Sequence, residues 1–563
     1  MAGLAGPAGP AVQQGTGDAL TPDTVRTWAI TACRALGAAR GVIDSANVFP
    51  VADADTGTNL CLTFARAKEE VDRQSAGASV GALLAALAHG ALLGARGNSG
   101  VILSEYLRGL AVGAADDVVD AVVTARALAG ASEAAGRAVA DPRRGTILSA
   151  AEVAAACAAT ALADGSDVVG VLTAARDGAR QALGRSADEL DVLRAANVLD
   201  AGAYGLSLVL DALCVAAGTG STAGALSEGQ GTVVLMGSLS APEQSADRAL
   251  ARPGRPAVDG EFEVVLVVEH RDGADRVAAS RDVGGRLRRD LQELGESVVV
   301  VGGDVPGPAA APGGAMWQVH VHTDRPEDVV RVVARDEDGR RPTVRQVVVR
   351  SLALQVVGPR DAGPGSGGVV ACTTAPGLVA DLARSGAVVV LRVDEDVTTA
   401  DLRRAVLETG EDRVLVLPVD ESSYEAARAL AATGDGDEAP DALPRVTVAP
   451  PRTDLHVVAA LAAWAGAPQT DRVTEALDAA GSVHVASVGG LTVAAAGATV
   501  AGRVAGATAG AEVLLTLLVD EEADATVVDE VVARAQDARP GTEVLLLRSG
   551  RASTDVLVGT EEL

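Results

Sequence analysis

Apolar residues recur every three or four positions through Thr24–Arg40, Ser79–Leu93, Gly100–Val112, Asp117–Ala140, Ser149–Ala163 and Val168–Leu183. That spacing is the helical one, because it returns side chains to one face of a 3.6-residue turn. The segments between these runs are short and carry Gly, Asp, Pro or Asn, residues that end or cap helices. The pattern predicts an all-α domain from residue 22 to about 218. The texture changes at Gly218, where G-T-G-S-T-A-G has the composition of a linker. From Gly231 to about Ser351 the apolar runs become short and β-branched. E-F-E-V-V-L-V-V-E, Ser297–Val301 and Trp317–His322 read as strands, with Asp282–Leu294 and Pro326–Arg335 as helices. A second Gly/Pro-rich linker covers 358–368. After it V-V-A-C, A-V-V-V-L-R-V, R-V-L-V-L-P-V and V-T-V-A-P alternate with helical stretches, as in βαβ units around a parallel sheet. Glu512–Leu563 reads strand, helix, strand, strand. The expected organisation is a loose tail at 1–20, a helical bundle at 21–220, an α/β domain at 231–352 and a second α/β domain at 366–563.

Composition sharpens this. Hydrophobic residues make up 48% of the 563, which excludes a disordered chain, but aromatics are only 2%. The core is therefore built from Ala, Val and Leu, with backbones in close approach. The net charge of −28 repels nucleic acid and anionic membrane, and no basic cluster with interleaved aromatics offsets it. Five scattered cysteines with no C-x-x-C argue against a disulfide framework or a zinc ribbon. No signal peptide opens the chain, and the apolar runs break off short of the roughly 18–20 residues a membrane span needs. A cytoplasmic protein without an integral membrane segment is expected.

The candidate chemistry begins at N-V-F-P-V-A-D-A-D-T-G-T-N, Asn47 to Asn59. Asp53 and Asp55, two residues apart in a non-helical segment, can turn toward one point, and two carboxylates so close repel unless a cation lies between them. Magnesium suits such a pair, taking one or two carboxylates together with substrate phosphates. Thr56, Thr58 and Asn59 follow with hydroxyl, amide and backbone N–H groups. The bland alternative is an Asp-rich turn that caps a helix. G-A-R-G-N-S-G, Gly94 to Gly100, precedes an apolar helix and places Gly97, Asn98 and Ser99 where a phosphate would meet a helix N-terminus. G-T-I-L-S at Gly145–Ser149 and D-A-G-A-Y-G-L at Asp200–Leu206 repeat the theme of small residues opening a helix. No G-x-x-x-x-G-K-[ST] is present, and the sole lysine, Lys68, lies outside any phosphate-loop context. Phosphate charge falls instead to metal, arginine and backbone dipoles.

These four motifs, in this order, resemble the nucleotide-binding domain of dihydroxyacetone kinases, the DhaL type, and most closely the ATP-binding subunit of bacterial fatty acid kinase. L-G-E-S-V-V-V-V-G-G-D and W-Q-V-H-V-H-T-D-R-P resemble that subunit's middle domain. The resemblance implies an N-terminal helical barrel followed by two α/β domains, with ATP and Mg2+ as cofactors. It makes Asp53 and Asp55 the metal ligands and sets Asn47 and Asn59 near the metal–phosphate cluster. Asn98 and Ser99 would touch phosphate, and Thr146, Asp200 and Gly202 would line the nucleotide pocket. It implies phosphorylation of a fatty acid carboxylate presented by a separate lipid-binding protein, by a chain that is itself a homodimer. The family usually has P-D-G-D where this chain has Ala52-Asp53-Ala54-Asp55, so Ala54 takes a glycine's place. Relatives can carry a Cys on the first strand of the middle domain that joins two histidines around zinc. His320 and His322 are present, but Phe262–Glu269 holds no Cys and Val265 is read at that place, so zinc is not expected. The two histidines then contact phosphate or acyl-phosphate, or satisfy hydrogen bonds. Kinase action on a small hydroxy-ketone such as dihydroxyacetone, and a non-catalytic nucleotide-binding scaffold, are the competing readings.

Overall fold

The computed structural model describes residues 19–49, 54–116, 118–139, 142–218, 260–271, 276–303, 314–335, 341–352, 367–432, 443–450, 452–488, 491–508 and 511–562. Most of the expected tail and of both linkers, and Asp53 with its neighbours 50–52, lie outside the described residues.

The N-terminal region is all helix: α1 (Pro22–Ser45), α2 (Thr56–Asp72), α3 (Val80–Gly94), α4 (Gly97–Gly113), α5 (Ala121–Ala138), α6 (Ile147–Ala163), α7 (Val168–Glu189), the short α8 (Asp191–Ala196) and α9 (Ala201–Ala216). Local chemistry sets the starts. Thr21 closes a capping box with Thr24 and Pro22 occupies the first turn, where its missing N–H costs nothing. Ser79, Asp120, Asp167 and Asp200 each accept a backbone N–H from the first turn of their helices.

With few aromatics, the helices close on one another through small residues. A Cβ on Gly109 would lie 2.3 Å from the Gly130 carbonyl oxygen, and one on Gly113 would lie 2.5 Å from Ala127 Cα. The α4 and α5 backbones therefore touch directly. Trp28 and Phe64 meet edge to face in the core, and the Trp28 indole donates to the Val209 carbonyl at 2.9 Å. That bond lets a polar ring nitrogen be buried without loss.

The remaining strands form two sheets. The larger has eight, in the order β2-β3-β1-β4-β6-β5-β7-β8. Its first half, β1 (Phe262–Arg271), β2 (Gly295–Gly303), β3 (Gly314–Thr323) and β4 (Thr343–Ser351), is antiparallel. Its second half, β5 (Gly368–Thr373), β6 (Val388–Leu391), β7 (Arg413–Leu417) and β8 (Arg445–Val448), is parallel. β4 joins β6 antiparallel, so one sheet continues across the Gly/Pro-rich segment that the sequence reads as a linker. The smaller sheet, β11-β10-β12-β9, is built from β9 (His484–Ser487), β10 (Val513–Val519), β11 (Glu543–Arg548) and β12 (Val556–Glu562). Arg551 ties it to the larger sheet by bonding Asp520, Thr374 and Asp454 together.

Side-chain alternation decides where the antiparallel half faces. Val264, Leu266, Val268, Trp317, Val319 and Val321 point into one core. The opposite face, through Val267, Val299, Val301 and Met316, packs on Leu92, Ala95, Val101 and Ala138 of the helical domain. This face carries Gln318, His320 and His322 on β3 and brings Gln318 against the loop between α3 and α4. Among the described residues no helix is long and apolar enough to cross a membrane.

Gly109→Ala places a methyl against the α5 backbone. It is expected to lower unfolding free energy by about 2 kcal/mol, an overpacking cost readable by thermal or urea denaturation.

Candidate functional site

The site is assembled from the first turns of helices. Asp55 is the residue before α2, yet its carboxylate makes no cap hydrogen bond. Its backbone carbonyl accepts the first helical bond, from Asn59 N at 2.8 Å. Capping passes to Asp44 of α1, which accepts from Thr58 N and from Thr58 Oγ1, each at 2.9 Å, while Arg40 Nε donates to the same hydroxyl at 2.8 Å. Thr58, expected at phosphate, is thus held by Asp44 and Arg40. Burial raises the Asp44 carboxyl, and the Thr58 bonds pull the other way. Asn47 is buried just beyond α1. Released from capping, the Asp55 side chain is 24% exposed.

Ala54 has φ 55°, in the left-handed region. This is the position where a glycine stands in the resembled motif, and the structure bears out the need for one. A Cβ in that region costs on the order of 1 kcal/mol.

α4 starts beside α2. Thr56 Oγ1 and Ser99 Oγ are 3.3 Å apart. Gly97 has φ 52°, and a Cβ there would lie 2.3 Å from Asn59 Nδ2, so both backbone angle and space demand glycine. Asn98 Oδ1 is buried with no hydrogen-bond partner. That orphaned polar atom lies next to two helix N-termini, an arrangement that could take a polar ligand. Leu60 of α2 touches Gly205 of α9, and Gly202 packs on Ile147 of α6. Four helix starts are therefore linked at one end of the bundle.

Thr146 caps α6, accepting from Leu148 N and donating to the Arg143 carbonyl. Asp200 caps α9 and also bonds the Ile147 backbone. Burial pushes its carboxyl up to about 6, against the lowering effect of backbone N–H groups of Ala203, Ile147 and Gly202. Thr146, Asp200 and Gly202 thus sit together, with the Asp200 oxygens engaged by backbone.

The middle strands close the other side. In register, Val265 stands opposite His320, and Glu263 stands opposite both His322 and Arg350. Sequence reading missed Glu263. An acidic residue in a valine-rich strand, two positions from Val265 and on its face, was the available signal. His320 Nε2 is 3.1 Å from His322 Nε2, and His320 Nδ1 is 3.4 Å from Glu263 Oε1. One ligand atom from each of the three lies within 4.8 Å of the others, so the trio could hold a cation. Glu263 is also hydrogen-bonded by Arg350 Nε, and a cation there would share the carboxylate with that guanidinium. Burial lowers His320 to about 4, with Glu263 opposing, so the imidazole is neutral at pH 7. Burial alone would raise Glu263, but the Arg350 guanidinium holds it well below the usual carboxylate range.

Arg350 then reaches across the domain boundary. Its Nη2 is 3.6 Å from Asp55 Oδ2. A second cluster grips the segment before Gly97. Ala95 O accepts from Gln318 Nε2 at 2.7 Å and from Arg404 Nη2 at 3.0 Å. Arg404 lies on the helix Thr399–Glu408. Arg96 Nη2 donates to Arg404 O at 3.0 Å, and Glu408 lies 3.8 Å from Arg96 Nε. Burial lowers Arg96 to about 9, with Glu408 working against it.

Comparison with known proteins agrees with the motifs. Residues 50–215 match the DAK2 domain family, and residues 261–354 match the FakA-like middle domain family of fatty acid kinases. Protein YloV of Bacillus subtilis is 29% identical over 405 residues, 70% of this chain and 69% of that protein. An uncharacterized protein of Staphylococcus haemolyticus is 31% identical over 294 residues, 51% of this chain and 48% of the other. The matched stretch is thus about half the length of that staphylococcal relative. A dihydroxyacetone kinase from C. freundii, solved with AMP-PNP and Mg2+, overlaps 38% of each chain at 20% identity with a TM-score of 0.27, too partial a likeness to carry an argument. The chain joins a DAK2 domain to a FakA-like middle domain, and these matches support a kinase.

Two outcomes are expected. Ala54→Gly relieves the left-handed alanine and raises stability by up to about 1 kcal/mol in denaturant titration. Asp200 is protonated up to about pH 6 in the folded chain, whereas its unfolded value is 3.8. Its contribution to stability therefore falls as pH rises through that window. Asp200→Asn should flatten the slope across about pH 4 to 6, while Asp200→Ala should cost about 1–2 kcal/mol by removing the cap.

Proposed function

We propose that this chain is an ATP- and Mg2+-dependent phosphotransferase whose acceptor is a fatty acid carboxylate held by a separate lipid-binding protein. The product is an acyl-phosphate. The observation that carries this reading is the Asp55 carboxylate, left out of its own helix cap at the start of α2, where the Thr56 hydroxyl lies 3.3 Å from that of Ser99 at the start of α4. A capping aspartate would have been spent on backbone N–H groups; here Asp44 does that work. The fatty acid acceptor is favoured over a small hydroxy-ketone by the match of residues 261–354, which lie beyond the DAK2 domain.

When bound, Mg-ATP supplies a transferable phosphoryl group whose charge the metal shares. The rest falls to residues of this chain. Asp55, with Asp53, holds the metal. The first turns of α2 and α4 present N–H groups, the Thr56 and Ser99 hydroxyls and the Asn98 amide to phosphate oxygens. Asn47 and Asn59 stand beside that cluster. Thr146, Asp200 and Gly202 shape the neighbouring wall. Gln318, His320 and His322 on the sheet face close the site from the other side and limit water. In the transfer a carboxylate oxygen of the acceptor bonds to the γ-phosphorus. The bond from that phosphorus to the bridging oxygen breaks, and ADP leaves with the electron pair.

The test combines ATP, Mg2+, the purified chain and a fatty-acid-loaded lipid-binding protein, with hydroxylamine to trap acyl-phosphate as hydroxamate. Hydroxamate that depends on all four components is expected. ATP binding with transfer to dihydroxyacetone instead would overturn the acceptor. Asp55→Asn should weaken Mg2+-dependent nucleotide binding at least tenfold, with little change in melting temperature without nucleotide.

A further inference from the structure

Two anions must meet in this reaction, a carboxylate and a nucleotide phosphate. Metal on Asp55 answers charge on the nucleotide side only. We propose that Arg350, delivered from the middle-domain sheet, is the cation that contacts the phosphoryl group in flight, a role that rests on the phosphoryl-transfer reading above.

The geometry points there from several directions. Arg350 lies on β4, on the same sheet face as Glu263, His320 and His322, and that face closes on the helical domain. Its side chain is only 15% exposed. Glu263 accepts from the guanidinium Nε, while Nη2 lies on the side of Asp55. The 3.6 Å between Nη2 and Asp55 Oδ2 is past hydrogen-bond range, so the two groups are near each other without being locked together. Other arginines close by are differently engaged. Arg96 and Arg404 bond backbone carbonyls and face Glu408. Arg40 bonds Thr58 beside Asp44.

A purely structural Arg350 would be the counter-ion of Glu263 and nothing more. Two features argue otherwise. The sheet's own pair is already complete, with Glu263 directly cross-strand from Arg350. The guanidinium nevertheless extends over the domain boundary to the candidate metal ligand. An arginine placed so needs little rearrangement to bridge a phosphoryl group that lies on a metal held by Asp55, and guanidinium forks suit phosphate oxygens.

The experiment uses the full chain with Mg-ADP and with Mg-ADP plus aluminium fluoride, a mimic of the phosphoryl group in transfer that needs no identified acceptor. Binding is read by thermal shift and calorimetry. The parent chain is expected to bind Mg-ADP and to bind the fluoroaluminate complex at least tenfold more tightly. The double variant Glu263→Gln/Arg350→Gln removes both buried charges together, so the sheet is not left with an unanswered carboxylate. It should keep Mg-ADP affinity within about threefold and lose the fluoroaluminate gain. Arg350→Lys keeps the charge opposite Glu263 and should recover part of that gain, which a structural role does not predict. If the parent shows no fluoroaluminate gain, or if the gain survives in the double variant, Arg350 is not the phosphoryl contact. If the double variant fails to fold, Arg350→Lys decides: an undiminished gain overturns the proposal and a reduced one supports it. Failure of the parent to bind Mg-ADP at all would instead remove the nucleotide reading on which the proposal stands.

Discussion

Arg350 carries its charge where little water reaches, and the structure answers it from two domains at once. Glu263 bonds it within the sheet, and Asp55 faces it from the start of α2. Burial works against the charge of the guanidinium, but Glu263 and its neighbours keep it protonated. Removing Glu263 or Arg350 alone would leave an uncompensated buried charge, a loss of several kcal/mol. The cluster therefore ties the sheet face to the start of α2, with Asp55 beside Arg350.

Other features serve that arrangement. The apolar half of the sheet face, Val267, Val299, Val301 and Met316, seals on Leu92, Ala95 and Val101. The polar half is thereby set beside Asp55. Gln318 and Arg404 converge on the Ala95 carbonyl, one from the sheet and one from the helix Thr399–Glu408, and fix the segment that leads into Gly97. Because β4 pairs with β6, the two halves form one continuous sheet. The contacts to Ala95 thus come from elements far apart in the chain, a strand of that sheet and a helix packed on it. The loop that opens α4 is held by backbone-directed bonds, which do not depend on a particular ligand.

Much of this was legible from residues and their spacing. The helical period located α1 and α3 through α7, and β-branched runs located the strands around His320. The glycine-for-alanine question at position 54 came from the motif and met a real left-handed backbone. What stayed hidden has physical causes. α2 carries Arg66, Lys68, Glu69 and Glu70 along its length, so its apolar stripe is masked by surface ion pairs. Asp44 sits at the end of an ordinary amphipathic helix, and nothing local says that it will cap the next one. Thr58 looked like a phosphate ligand because its other partners lie fourteen and eighteen residues back. Glu263 and Arg350 are ordinary strand residues until register sets them across from each other. No local pattern carries that register, and none carries the packing of the sheet on the helical domain.

The central claim is that a metal–nucleotide site and the sheet face meet at Asp55. Anomalous diffraction from crystals grown with AMP-PNP and Mn2+ in place of Mg2+ tests it most directly. The account predicts a manganese peak at about 2.1–2.2 Å from a carboxylate oxygen of Asp55, with the triphosphate lying between the first turns of α2 and α4 and the Arg350 guanidinium. Manganese bound away from Asp55, or a nucleotide seated where neither helix start nor Arg350 can reach its phosphates, would contradict it.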